Sequence, residues 1–232
     1  MHTLHRHKIT TVVVLLLGTL HAWAQPNLEQ YDNKRLHFGF TVHTNVGRLR
    51  IDRRTERFPF DTLKNVSQTS FPGIGLGALT NLHLGNNWDI RLMFPVISFV
   101  QRNVVYEFEN VTREAEIESS YCDLSLLVKF KSNRRKNVRV YVIGGFRASY
   151  DWANTVNQDR SIRKPVVSLV PFTTGYEAGF GLDVYFPYFK FSPEIKFCNT
   201  FGNALFHDGY IYTESLRGIA PQLFQFSLHF EG

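Results

Sequence analysis

From residue 36 to its end the chain repeats one pattern. Segments of roughly ten residues alternate apolar and polar side chains, and the connections between them are short and long in turn. Alternation at period two makes a strand with one apolar and one polar face. No later stretch approaches the ~18 apolar residues of a spanning helix. If strands of this kind sit in lipid, they must close on themselves, because an open sheet edge leaves backbone groups unpaired there. The pattern predicts an all-β fold: an eight-stranded, antiparallel, up-and-down transmembrane β-barrel with short periplasmic turns and long extracellular loops. The alternative is a soluble eight-stranded barrel such as a lipocalin. That fold turns its apolar row inward and has no need of such regular loops.

The N-terminus supports a membrane address. His2, His5, Arg6, His7 and Lys8 form a basic start, Ile9 to Leu20 is a short apolar run, and Ala22-Trp23-Ala24 offers a cleavage site before Gln25. Residues 1–24 read as a secretory signal peptide. No Cys follows the site, which argues against a lipid anchor. The stretch 25–36 is then a periplasmic segment, and 37–232 is the barrel, in the bacterial outer membrane. The chain holds 21 Phe and 10 Tyr, yet 20% of its residues are charged and the net charge is +6. One lipid-facing row and one polar row give that mixture. A soluble enzyme or a nucleic-acid binder is excluded on the same grounds.

Eight outward rows are legible. They start at Phe38 (with Phe40 and Val42), Ile74, Trp88, Cys122, Val138, Tyr176, Phe189 and Phe224 (with Phe226, Leu228 and Phe230). The Trp88 row is expected to continue through Phe94 to Val96. A slip of one residue would flip a whole row, so register is strongly specified. Gly85-Asn86-Asn87, Ser132 to Asn137 and Phe186-Pro187-Tyr188 are the short turns. The stretches 47–72, 106–117, 152–170 and 200–220 are the long connections. Trp88, Tyr185, Phe186, Tyr188 and Phe189 are expected in one aromatic girdle. Tyr106, Tyr121, Tyr150 and Trp152 are expected in the other.

The inward rows are rich in charge, and an eight-stranded interior is just wide enough for side chains to fill. Across the turns, Glu177 is expected near Lys196 and Asp123 near Arg147, with Arg147 and Glu177 at similar depth. Glu194 and Arg91 belong to the same network. A proton or ion path is the sharper reading. A neutralised polar filling is the plainer and preferred one, since buried charge must be paired. Inward Gly73, Gly75, Gly77, Gly145, Gly179 and Gly181 leave room for long side chains opposite.

Other patterns carry less chemistry. Gly73-x-Gly75-x-Gly77 lacks a following helix, so it is no dinucleotide site. Ser227-x-His229-x-Glu231 puts three catalytic residue types on one face, but neighbours at i and i+2 project in parallel; a polar lining is the preferred reading. No catalytic, cofactor or metal site is expected. Cys122 and Cys198 fall on opposite faces of strands that are not neighbours, and two free, buried thiols are expected. Arg48, Arg50, Arg53, Arg54 and Arg57 crowd the first long connection; contact with lipopolysaccharide phosphates or an acidic partner is the functional reading. Arg134-Arg135-Lys136, in a periplasmic turn, could meet inner-leaflet phosphates.

Over nearly the whole mature chain the sequence resembles the PorT/SprT family, the outer-membrane β-barrel component of the type IX secretion system of Bacteroidota. Tyr31-Asp32-Asn33-Lys34 leading to His37-Phe38-Gly39-Phe40 carries the likeness. Arg91-Leu92 with Pro95, Ser98-Phe99, Gln101-Arg102 and Glu118-Ser119-Ser120 continue it. Tyr150-Asp151-x-Ala153, the run Tyr185-Phe186-Pro187-Tyr188-Phe189-Lys190-Phe191-Ser192-Pro193-Glu194, and Phe226-Ser227-Leu228-x-Phe230-Glu231 complete it. Gly232 and the long connections depart from the family's pattern. The resemblance implies a role in protein export, and in gliding motility for some members, as an assembly subunit without catalytic residues. Expected partners are outer-membrane lipids, lipopolysaccharide and other secretion subunits, with no nucleic acid and no small-molecule substrate.

Overall fold

A computed structural model of the chain describes residues 27–28, 30–53, 63–109, 111–153, 167–207, 209, 213 and 216–232. The signal segment 1–24, Arg54 and Arg57 lie outside the described residues. Nine strands follow a short 3-10 turn at Tyr31–Asn33: β1 (Leu36–Arg53), β2 (Leu63–Ser70), β3 (Pro72–His83), β4 (Trp88–Phe108), β5 (Thr112–Lys131), β6 (Val138–Asp151), β7 (Phe172–Tyr185), β8 (Lys190–Thr200) and β9 (Leu216–Glu231). β2 and β3 are two halves of one strand parted at Phe71, and both pair with β4. Neighbours run β4-β3-β1-β9-β8-β7-β6-β5, and β5 returns to β4, so eight antiparallel walls close a ring. The seam joins the first and last strands, from Gly39 opposite Glu231 to Arg53 opposite Leu216. Outside that seam Phe40 stacks on Phe230 with centroids 4.9 Å apart.

Alternation decides what faces where. Phe38, Phe40, Ile74, Phe146, Phe180 and Phe224 are exposed on the outside. Thr41, His43, Asp123, Lys129, Glu177 and Lys196 are buried inside. One row departs from expectation. Between Met93 and Val96, β4 spends three steps where β5 spends two, from Ser125 to Asp123. Pro95 has no N–H to give the ladder, and the strand bulges there. The extra residue reverses the parity, so Val96 faces inward and is 5% exposed.

The girdles also change membership. Trp88, Tyr188, Phe189, Tyr150 and Trp152 face out. Tyr106, Tyr121 and Tyr185 are buried inside instead, because each sits on the inward parity of its strand.

The larger correction concerns the long connections. β1 continues to Arg53, β2 occupies Leu63–Ser70, and β4 and β5 pair out to Glu107 opposite Thr112. There Phe108 N–H donates to the Val111 carbonyl at 2.9 Å. Much of 47–72, nearly all of 106–117 and the end of 200–220 are therefore strand. Strand form continues, but the two faces exchange polarity. Inside lie Leu49, Val66, Val104, Tyr106, Ala115, Ile117, Leu216 and Ile219, closed over by Val167, Leu169 and Leu205. Outside lie Arg48, Arg50, Glu114, Glu116 and Arg217. This is the arrangement of a sheet in water, where the apolar row turns to the core. The wall thus passes from one solvent to another along its own strands.

Candidate functional site: the filled lumen and its rim

Every inward position in the lipid-clad zone projects into a space narrow enough for opposite walls to touch. Small residues make the longer ones fit. A Cβ on Gly181 would lie 2.5 Å from the Tyr141 hydroxyl, and one on Gly75 would overlap the His43 ring. Among the described residues the buried cations are Arg91, Arg102, Lys129, Lys131, Arg139, Arg147, Lys190 and Lys196; the buried anions are Asp89, Asp123, Asp151, Glu177, Asp183, Glu194 and Glu231. Asp32, at the rim, evens the tally through Arg139.

The rim at the end holding Asn27 and Gly232 is closed by the segment that precedes β1. Tyr31 is buried there. Its ring stacks on His37 at 3.8 Å and meets Tyr185 edge-on at 5.7 Å. Its hydroxyl donates to Glu231 at 3.3 Å. Burial, and after it the Glu231 carboxylate, push that hydroxyl far above the ordinary phenol value, so it stays a donor. Asp32 accepts from Arg139 at 3.1 and 3.3 Å. Asn27 donates from its backbone to Asn137 at 2.7 Å and from its amide to the Tyr185 carbonyl at 3.0 Å. Arg134 donates to the carbonyls of Asn27 and Leu28 and lies 3.8 Å from the Tyr185 ring centroid. That guanidinium, read from the sequence as facing lipid phosphates, holds the N-terminal segment instead.

Below the rim, Glu231 gathers Lys190 at 2.8 Å, Arg91 at 3.3 Å and the Asn81 amide. Arg91 also reaches Glu194 at 2.8 Å, which accepts from Tyr141 at 2.8 Å and faces His229 at 3.4 Å. Lys129 donates to both Asp183 oxygens at 2.8 Å, and Ser192 donates to Asp183 at 2.7 Å. Deeper, Lys196 lies 2.8 Å from Glu177. Arg147 sits between Asp123 at 3.8 Å and Glu177 at 4.0 Å. The six network residues named from sequence are brought into two groups: Arg91 with Glu194, and Asp123, Arg147, Glu177 and Lys196 together. Glu177's tight partner is Lys196, so Arg147 belongs chiefly to Asp123. Above them Arg102 donates to Ser119 at 2.7 Å and Tyr121 at 2.9 Å, beneath the apolar cap.

Sequence reasoning missed Glu231, Lys190 and the Lys129–Asp183 pair as partners. All four sit on inward parity, which was a usable signal. Lys190 lies directly opposite Glu231 on the neighbouring strand, a pairing set by the register of β8 on β9, and Lys129 reaches Asp183 across the single intervening strand β6.

The other candidates separate. Ser227, His229 and Glu231 project in parallel, with Glu231 held by Lys190 and Arg91 and His229 turned to Glu194. No nucleophile–base–orienter chain assembles from them. Cys122 and Cys198 are both free thiols. Cys122 is only half-buried, on the outside, whereas buried Cys198 donates to Gln225 at 3.4 Å. Among the described residues no three His, Cys, Asp or Glu side chains are placed to hold a metal ion. Arg48 and Arg50 are exposed on the outer face of β1. Arg53 lies on the last position of β1, its side chain outside the described set, as are Arg54 and Arg57 altogether.

A closed ring with an apolar outside and paired charges inside is an integral outer-membrane β-barrel. The chain belongs to the outer membrane protein beta-barrel domain family, whose profile matches residues 23–205. The short turns, the segment before β1 and the end of β9 then mark the periplasmic rim, and the polarity-reversed strand ends stand outside the cell. No curated protein sequence matches the chain. Among solved structures it is similar to the outer membrane protein OprG from Pseudomonas aeruginosa, at 10% identity and TM-score 0.47, covering 85% of this chain and 94% of that one. It is similar to the outer membrane protein AlkL in lipid bilayers, at 9% identity and TM-score 0.46, covering 84% and 90%. It is also similar to Ail, the attachment invasion locus protein of Yersinia pestis, in complex with the heparin analogue sucrose octasulfate; identity is 14%, TM-score 0.39, and coverage 86% and 100%.

Proposed function

We propose that this barrel is a non-enzymatic, non-conducting assembly or scaffold subunit of the type IX secretion system. The observation that carries the non-conducting part is the filling of the lumen. Paired charges occupy it from Glu231 to Asp123, and an apolar cap follows. Opening such an interior would strand buried charges, and breaking one such pair costs about 3–5 kcal/mol. The secretion assignment rests on the PorT/SprT resemblance. Several of its segments, far apart in sequence, meet at or just below the periplasmic rim: Tyr31 and Asp32, Arg91, Tyr185 to Glu194, and Glu231. A rim of that kind suits docking to periplasmic subunits. The structural role of Asp123, Arg147, Glu177, Lys196, Glu194 and Arg91 is to neutralise one another inside the wall. Deleting the gene should leave secretion cargo in the periplasm; normal secretion in the deletion strain sinks the proposal.

A second reading has one observation in its favour. The strands rise beyond the membrane as a rigid wall, which would suit a small barrel for adhesion or envelope integrity. It predicts normal secretion and altered surface binding. A lipid A-modifying enzyme, the third possibility, predicts a changed lipid A mass spectrum.

A further inference from the structure

We propose that the outer face of the extracellular ends of β1 and β9 binds the phosphate of an outer-leaflet phosphoglycolipid through Arg48, Arg50 and Arg217. Three observations carry it. The first is position. The outward row of β1 runs Phe38, Phe40, Val42, Thr44, Val46 and then Arg48 and Arg50. Val46 opposes Phe224, where the apolar band of β9 stops, and Arg48 opposes Gln222. At about 3.4 Å per residue, Arg48 stands roughly 7 Å past the last apolar rung, at headgroup height.

The second is availability. Among the described residues neither Arg48 nor Arg50 has a carboxylate within ion-pair distance. Among the described residues the carboxylate nearest Arg217 is Asp52, at 4.0 Å, with both side chains mostly exposed. Strand alternation aims Arg48 and Arg50 the same way, about 7 Å apart. A guanidinium fork matches a phosphate better than any other side chain. Beside them runs a groove of about 540 Å³ lined by Arg50, Asp52, Asn203, Arg217, Gly218 and Ala220.

The third is contrast. The extracellular end of β5 presents Glu114, Glu116 and Glu118 on its outer face. The molecule is therefore basic on one flank and acidic on another, and an anionic leaflet is drawn to the first.

The test is native mass spectrometry of the purified full-length protein with added bis-phosphorylated lipid A, alongside its dephosphorylated form. Wild type should retain the phosphorylated lipid at least about tenfold better. Arg48→Gln/Arg50→Gln/Arg217→Gln, scored only if it keeps the fast-migrating folded band on unboiled gels, should lose that preference. Glu114→Gln/Glu116→Gln should keep it. Equal retention of both lipids by wild type overturns the proposal, as does undiminished retention by the folded triple variant or loss of the preference in the glutamate variant. Displacement by excess inorganic phosphate overturns the assignment to a lipid. If the triple variant does not fold, the two-lipid comparison on wild type decides. The outcome is independent of any role in secretion.

Discussion

Tyr31 and Glu231 stand 200 positions apart and meet through one hydrogen bond of 3.3 Å, so the two ends of the chain are clasped at the periplasmic rim. The clasp spans the seam where β1 pairs with β9. Tyr31→Phe removes only the hydroxyl and should cost about 1 kcal/mol. Tyr31→Ala also removes the His37 stack and the Tyr185 edge contact and should cost more, on the order of 3 kcal/mol or above. The temperature at which the folded band disappears on unboiled gels ranks the variants. Equal loss in both would show that the hydroxyl alone matters.

The charge layer makes an asymmetric prediction. Arg147→Ala removes the nearest cation from Asp123 but leaves Glu177 with Lys196. It should destabilise the barrel by about 3–5 kcal/mol. Asp123→Asn added to Arg147→Gln should recover most of that, because no orphan charge remains. Glu177→Gln added to Arg147→Gln should recover less, since it frees Lys196. If both double variants behave alike, Arg147 is shared evenly. Should the recovered variant fold and still block secretion, the charges serve a mechanism beyond stability.

Purified protein in planar bilayers should show no large, steady conductance. A stable nanosiemens-scale current from the intact chain would contradict the filled interior and favour a porin.

The inverted strand ends can be tested separately. Val104 is wholly buried in the extracellular apolar cluster. Val104→Asp should open that cluster while leaving the lipid-clad ring assembled. Protease added to intact cells should then cut within 101–118 in the variant and spare that stretch in wild type. Cleavage there in wild type would deny the ordered hairpin.

Most of the lipid-facing wall was legible because lipid enforces a single rule on it: apolar out at every second residue. Where a different constraint took over, sequence reasoning erred. Pro95 bulged β4 and turned Val96 inward, and the Pro alone did not reveal that a residue would be gained. Beyond the membrane the rule reversed. Val104 and Ile117 kept alternation with Gln101 and Glu116, but on the opposite faces, while in β9 a register shift opposite Asp52 and Arg53 set both Leu216 and Ile219 inward and Arg217 outward. A reader looking for apolar-out rows sees that stretch as loop. Neighbouring charge pairs such as Glu177–Lys196 were reachable through turn geometry. Glu231 with Arg91 was not, because those strands meet only across the lumen.

The reversal of polarity along β1, β4, β5 and β9 also bears on what an immune system or a phage would see. Among the described residues the part that stands beyond the membrane is largely a folded wall, and its chemistry lies in side chains that become neighbours only when strands pair: Gln101 beside Glu116, Asn103 beside Glu114. Recognition of that surface is conformational. A serum raised against a linear peptide of 101–118 should ignore intact cells, whereas one raised against the refolded barrel should label them.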